Sequence, residues 1–319
     1  MKLIDIYRNA VLFGMENDPR GKESVRKELL RAQKEYEKLT GKDKDFYDKE
    51  KLSNPYSDTR ILNGKEDSEI KTIFVGVDME VGEMLLTDRL KEKGEKIDLV
   101  MAHHPEGLAL AGFFNVMYMQ IDILNKIGVP ISVAESLMHD RIKEVERKVM
   151  PVNHTRTVDA ARLLDINFMS CHTPADNCVV TYLQSLMDRK KPNTLGEIID
   201  ILRDMPEYSA AAKENAGPRI IKGDNSSKTG KIFVDMTGGT EGSKDIFKKL
   251  SEAGVSTLVC MHLSEDHFKK AKEEHMNVVI AGHIASDNVG LNIMLDELEK
   301  KGKFKILTCS GFKRFSRKK

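Results

Sequence analysis

The stretch IDLVMAHHP, residues 97–105, decides the architecture. Its first six residues carry one charge, Asp98, and read as a strand buried on both faces. The strand runs into two adjacent histidines. Pro105 biases the residue before it away from helix, so His103 and His104 sit in a turn just past a strand end. Similar apolar runs recur at 73–77, 129–134, 166–170, 231–235, 257–261 and 277–281. Amphipathic, helix-like stretches lie between them at 83–93, 114–127, 245–253 and 264–274. Strands alternating with helices imply an α/β fold with mostly parallel sheets covered on both faces. The segment 188–230 holds one helix, over 195–203, and then Gly217, Pro218, Gly223, Asn225, Ser226 and Ser227, which suggests a lobe boundary. The expected organisation is an N-terminal helical extension and connector over 1–55, a first α/β lobe over 56–205 and a second over 206–319. No residue-level repeat is visible, although both lobes share the strand-helix rhythm.

Residues 1–55 have a different texture. Val25, Leu29, Ala32, Tyr36 and Leu39 recur at four-three spacing among Lys, Arg and Glu, a narrow apolar stripe on a charged helix. Such a stripe suits packing on a neighbour or a partner subunit. The chain of 319 residues carries 51 Lys plus Arg against 50 Asp plus Glu, a formal charge of +1. That balance disfavours a nucleic-acid partner, which calls for a basic excess. The local exception, Lys313, Arg314, Arg317, Lys318 and Lys319, reads as a solvated terminus. Four cysteines without a C-x-x-C pair point to reduced thiols. No signal-peptide core or membrane-length apolar stretch is visible, so a cytoplasmic protein is expected.

The chemistry gathers at strand ends. NFMSC (167–171) runs into His172 and NVVIAG (277–282) into His283, and each histidine is followed four residues later by a carboxylate, Asp176 or Asp287. In parallel α/β sheets ligands collect beyond the carboxyl ends of the strands, which would bring these side chains to one edge. Neutral imidazole with carboxylate is the ligand mix of catalytic divalent metals. Four histidines and two aspartates exceed the needs of one tetrahedral ion and suit two. Simpler roles compete: Thr173 could cap a helix that has Pro174 at its first position, with Asp176 closing a capping box. Asp287 could face a helix dipole. His262 and His267, near another strand end, are candidates for proton transfer or for supporting a ligand. Asp78 and Glu106 could each orient a water or an imidazole. Residues 236–243 form a strand-to-helix loop that could face an anion, with a tight structural turn as the plainer reading.

DLVMAHHPEG, CHTPADN and AGHIASDN, in that order, resemble the NIF-three-like dinuclear-metal family, often labelled type 2 GTP cyclohydrolase I homologues. The resemblance runs from about residue 73 to 294. It implies two related α/β lobes with two divalent ions (Zn, Mn, Fe, Co or Ni) in the cleft between them, and a toroidal homohexamer. Carried over position by position, the metal ligands would be His103, His104, Asp176, His283 and Asp287, with His172 beside them. The resulting expectation is a metal-dependent hydrolase. A metal-bridging hydroxide would attack an unidentified small molecule of the cyclohydrolase, amide or phosphoester class, with His172, His267 or Glu106 moving protons. The alternative is a metal-braced oligomeric scaffold without turnover. Asp287 stands where the family has glutamate, a ligand shorter by one methylene, so Asp287→Glu is expected to tighten one ion. Glu106 stands where the family continues with an aliphatic residue, and the helix before residue 55 has no counterpart in it.

Overall fold

The computed structural model describes residues 1–317. Its strands are β1 (Arg60–Asn63), β2 (Thr72–Gly76), β3 (Leu99–Ala102), β4 (Phe168–Ser170), β5 (Arg219–Lys222), β6 (Lys231–Asp235), β7 (Val255–Cys260), β8 (Asn277–Ile280) and β9 (Lys305–Thr308). Ahead of β4 come the helices α1 (Leu3–Glu16), α2 (Lys22–Lys38), α3 (Gly41–Phe46), α4 (Val81–Glu92), α5 (Gly107–Ala111), α6 (Met119–Ile127), α7 (Ile131–Val149) and α8 (Arg156–Leu163). After it come α9 (Thr173–Lys190), α10 (Leu195–Arg203), α11 (Pro206–Lys213), α12 (Phe247–Glu252), α13 (Glu265–Glu273) and α14 (His283–Lys301). Among these residues no helix is long and apolar enough to cross a membrane.

Two mostly parallel sheets carry the fold, in the orders β1-β4-β3-β2-β9 and β5-β8-β7-β6. The first four strands of each repeat one plan. An antiparallel edge strand with an irregular register, β1 or β5, is followed by three parallel strands. The repeat that eludes a scan of the letters is therefore present in the topology. It surfaces in sequence at one point: Ile73-Phe74-Val75 pairs with Leu99-Val100-Met101 as Ile232-Phe233-Val234 pairs with Thr257-Leu258-Val259. Every residue of β2 and β3 is buried, which is why these runs are apolar throughout instead of alternating.

Several segments differ from the sequence reading. The run 129–134 is the entry to helix α7, where Ala134, Met138, Ile142 and Val145 form a buried stripe; this 3.6-residue period outweighs the short apolar run. The stretch read as an N-terminal extension divides in two. In α1, Leu3, Ile6 and Ala10 are fully buried against Ile73, Val75, Leu99 and Met101 of the first sheet and Leu291 and Leu295 of α14. The stripe of α2 lies on its own connector: Tyr36 stacks 5.3 Å from Tyr47, whose hydroxyl donates to the Ala32 carbonyl. The connector is held by the buried Arg60 guanidinium, which pairs with Asp48 at 2.8 Å and donates to the Tyr56 and Thr59 carbonyls. Because α1 belongs to the core, Ile6→Ala is expected to destabilise by about 2–5 kcal/mol, as a large-to-small core change does. Chemical denaturation checks this, since a residue of a loosely attached helix would cost well under 1 kcal/mol.

The C-terminal segment, grouped by sequence with the second lobe, returns to the first sheet, where β9 pairs with β2. Beyond it Lys313 is exposed as expected, but Arg314 and Arg317 are not left to solvent. The chain runs extended along α14, and Asn288 accepts from the Lys313 N–H while donating to the Gly311 carbonyl. Asn292 repeats the pattern one helical turn on, with the Phe315 N–H and the Lys313 carbonyl, and Asp296 accepts from the Arg317 N–H. Four helical residues rise about 6 Å, close to the length of two extended ones, so the side-chain amides keep step with the backbone. Arg314 pairs with Asp296 and Glu299, and Arg317 with the buried Glu207. Buried acidic partners on α14 and α11 explain why these cations leave water. Lys318 and Lys319 lie outside the described residues.

Candidate metal centre

His103 and His104 follow β3, and their backbone N–H groups are held by the Gly76 and Val77 carbonyls. His172 ends the loop after β4, and Asp176 lies in the first turn of α9. His283 opens α14, so Asp287 stands one turn above it on the same face. The ends of both sheets thus deliver ligands to one point, and α9 and α14, packed against each other, fix their spacing. That packing is tight. A Cβ built on Gly290 of α14 would lie 2.3 Å from the Ala175 carbonyl oxygen of α9, and one on Gly14 of α1 would lie 2.6 Å from Pro174.

Asp287, 1% exposed, places its oxygens 3.5 Å from His103 Nε2, 3.6 Å from His104 Nε2 and 3.6 Å from His283 Nε2. Asp176 reaches His103 Nε2 at 3.4 Å and His172 Nε2 at 3.6 Å. The opposite ring nitrogens are taken. His103 Nδ1 lies 3.2 Å from the Cys171 carbonyl, His172 Nδ1 2.8 Å from buried Asp58, and His104 Nδ1 2.6 Å from Asp78. A carbonyl or carboxylate can only accept, so each Nδ1 carries the proton and each Nε2 faces the two aspartates. Metal-binding histidines are oriented in the same way by their outer hydrogen bonds.

His103 Nε2, Asp176 Oδ1 and both Asp287 oxygens are buried without a hydrogen-bond partner. Each such group costs about 1–3 kcal/mol, and four of them converging calls for a shared partner. The charge balance identifies it. Burial works against a proton on His103, but the Asp287 and Asp176 carboxylates more than offset this and raise its pKa. Burial, reinforced by positive charge on His103 and His172, pushes His104 down to about 4. Two buried carboxylates therefore hold positive charge at the centre, and a cation satisfies the same demand. Three overlapping groups could hold an ion: His103, His104 and His172; His104, His283 and Asp287; and His103, Asp176 and Asp287. An imidazole-rich set with two carboxylates fits zinc and other first-row divalent ions better than magnesium or calcium.

The other sequence candidates are placed differently. Thr173 does not cap α9; its hydroxyl donates to Asp58 at 2.6 Å. His267 lines a small pocket beside the cluster, but its Nε2 donates to the Gly242 carbonyl and its Nδ1 lies 2.6 Å from the Ser264 hydroxyl, so it braces the 236–243 loop. That loop is also held by Gln120, which donates to the Gly238 and Thr240 carbonyls, as a structural turn requires. Glu106 joins no ligand group; burial raises its pKa, and its backbone N–H donates to Ser170. Asp58, which orients His172, went unnoticed because SDTR carries no pattern that separates it from a surface turn. Asp287 stands one turn into a helix that starts at His283, which brings the shorter carboxylate to 3.5–3.6 Å from three imidazole nitrogens.

Fold and site together define a protein of two α/β sheets whose strand ends enclose a buried histidine–aspartate cluster able to hold metal. The structure is similar to that of an NIF3 superfamily protein from Sphaerobacter thermophilus, with a TM-score of 0.70 and 27% identity over 80% of this chain and 91% of that one. Weaker similarities are to reduced HcgD from Methanocaldococcus jannaschii (TM-score 0.49, 15% identity, 78% and 87% covered) and to a Bacillus cereus protein related to NIF3 (0.40, 12%, 79% and 89%). No protein-family model matches the sequence, and no curated protein does. The similarity to the Sphaerobacter protein, together with the three histidine motifs, supports a place among NIF3-like proteins.

Proposed function

We propose that the chain binds two divalent transition-metal ions and uses them as a hydrolase on a small molecule. The observation that carries this reading is the convergence of four unpartnered buried polar atoms on one point. His103, Asp176 and His172 would hold one ion and His104 and His283 the other, with Asp287 between them. Bound there, such ions polarise a substrate oxygen and supply a nucleophilic water at neutral pH. The chain's own contribution is orientation: Asp58, Asp78 and the Cys171 carbonyl fix three imidazoles before any ion arrives. A small pocket of about 90 Å³ beside the cluster has a mixed lining, with Asp176, His283, Asp287 and Asp235 on one side and Leu124, Phe233 and Phe247 on the other.

The test is elemental analysis and calorimetry of chelator-stripped protein. More than one zinc, manganese or cobalt ion should bind per chain, and His103→Ala should remove most of the uptake. Full metal content in that variant would overturn the site. Hydrolysis is tested on cyclic amidines, amides and phosphoesters with the loaded protein, and an intact metal set with no turnover would favour a scaffold. We also propose self-association into a homo-oligomer, as the family resemblance implies. A scattering mass at the monomer value across concentrations would contradict it.

A further inference from the structure

The repeated topology assigns a further imidazole to the centre. His104 lies three residues beyond Met101, which pairs with Val75; His262 lies three residues beyond Val259, which pairs with Val234. The two histidines occupy the same position past the middle strand of their sheets. Their surroundings match as well. The His104 Nδ1 is held by Asp78, from the segment after β2, and the His262 Nδ1 lies 3.3 Å from Glu241, from the segment after β6. Glu241 is itself fixed, accepting from the Ser264 N–H at 2.6 Å. The two rings flank His283 at centroid distances of 5.2 Å and 4.9 Å. His262 is about half exposed and belongs to none of the three ligand groups, so ligation requires its ring to turn toward Asp287.

We propose that His262 is a ligand of the ion held by His104, His283 and Asp287, and that Glu241 is its positioning residue. This rests on the metal reading above and extends it. The second ion then has four protein ligands in place of three, a nitrogen-rich set typical of zinc, iron or nickel.

The experiment titrates chelator-stripped wild type, His262→Ala, Glu241→Gln and His103→Ala with Zn(II) by calorimetry, and records the visible spectra of the Co(II) forms. His262→Ala should weaken one binding step by at least about tenfold, leave the other nearly unchanged and alter the Co(II) spectrum. Glu241→Gln should weaken the same step by less, as loss of an orienting partner does. His262 is on the surface of the site, so its variant should fold, which circular dichroism checks. Wild-type isotherms and spectra for His262→Ala would overturn the assignment while leaving the metal site standing. Wild-type protein that takes up no ion, or His103→Ala protein that takes up ions as the wild type does, would overturn the underlying reading and this inference with it.

Discussion

Asp287→Ala is expected to abolish uptake of one ion and to weaken the other by well over the roughly 10–100-fold typical of losing an outer partner. The reason is that one carboxylate lies within 3.6 Å of three imidazoles, on residues from both sheets. The wild type should gain about 2.7 kcal/mol from an ion at a hundred times its dissociation constant, and the variant should gain little. Thermal melts with and without zinc separate these outcomes, and a variant still stabilised to the wild-type extent would contradict the argument. Asp287→Glu is now expected to weaken binding, because the extra methylene must fit a site already spanned by the shorter side chain.

Gly290→Ala should be nearly as damaging, although Gly290 is no ligand. Its added Cβ would meet the Ala175 carbonyl at 2.3 Å, a backbone atom that cannot swing aside. The helices must part, at an expected cost of about 1–3 kcal/mol or more. Asp176 and His172 ride on one of them and Asp287 and His283 on the other. A metal–oxygen bond tolerates little beyond about 2.0–2.2 Å, so affinity should fall at least about tenfold. Gly82→Ala is the control. It lies in α4 with nothing near its Cβ position and should be neutral or stabilising by up to about 1 kcal/mol. Equal metal affinity in the two variants would show that the helix crossing does not set the site.

The centre was legible because its signal is local: histidine directly after an apolar strand, and carboxylate four residues into the following helix. His103, His104, His172, Asp176, His283 and Asp287 all meet where that pattern puts them. What was illegible depends on contacts distant in sequence. Asp58 reaches His172 across 114 positions, and nothing near Asp58 announces it. The reach of Asp287 depended on where α14 begins, a boundary that letter patterns fix only to within a few residues. The 129–134 run shows the ambiguity of short apolar segments, since Pro130 starts a helix there instead of ending a strand's partner.

The pairing of β9 with β2 also constrains the order of events during synthesis. Thr72 and Lys305 are register partners, so the fifth strand of the first sheet emerges only after both halves of the chain have been made. Until then β2 has an open edge, and α14 lacks the asparagine-bound segment beyond β9. Closing a loop of that length is entropically slow, and a half-made first sheet exposes a pairing-prone strand. A nascent chain stalled before residue 305 is therefore expected to be a substrate for chaperones and proteases, and the two sheets should reach protection from hydrogen exchange together.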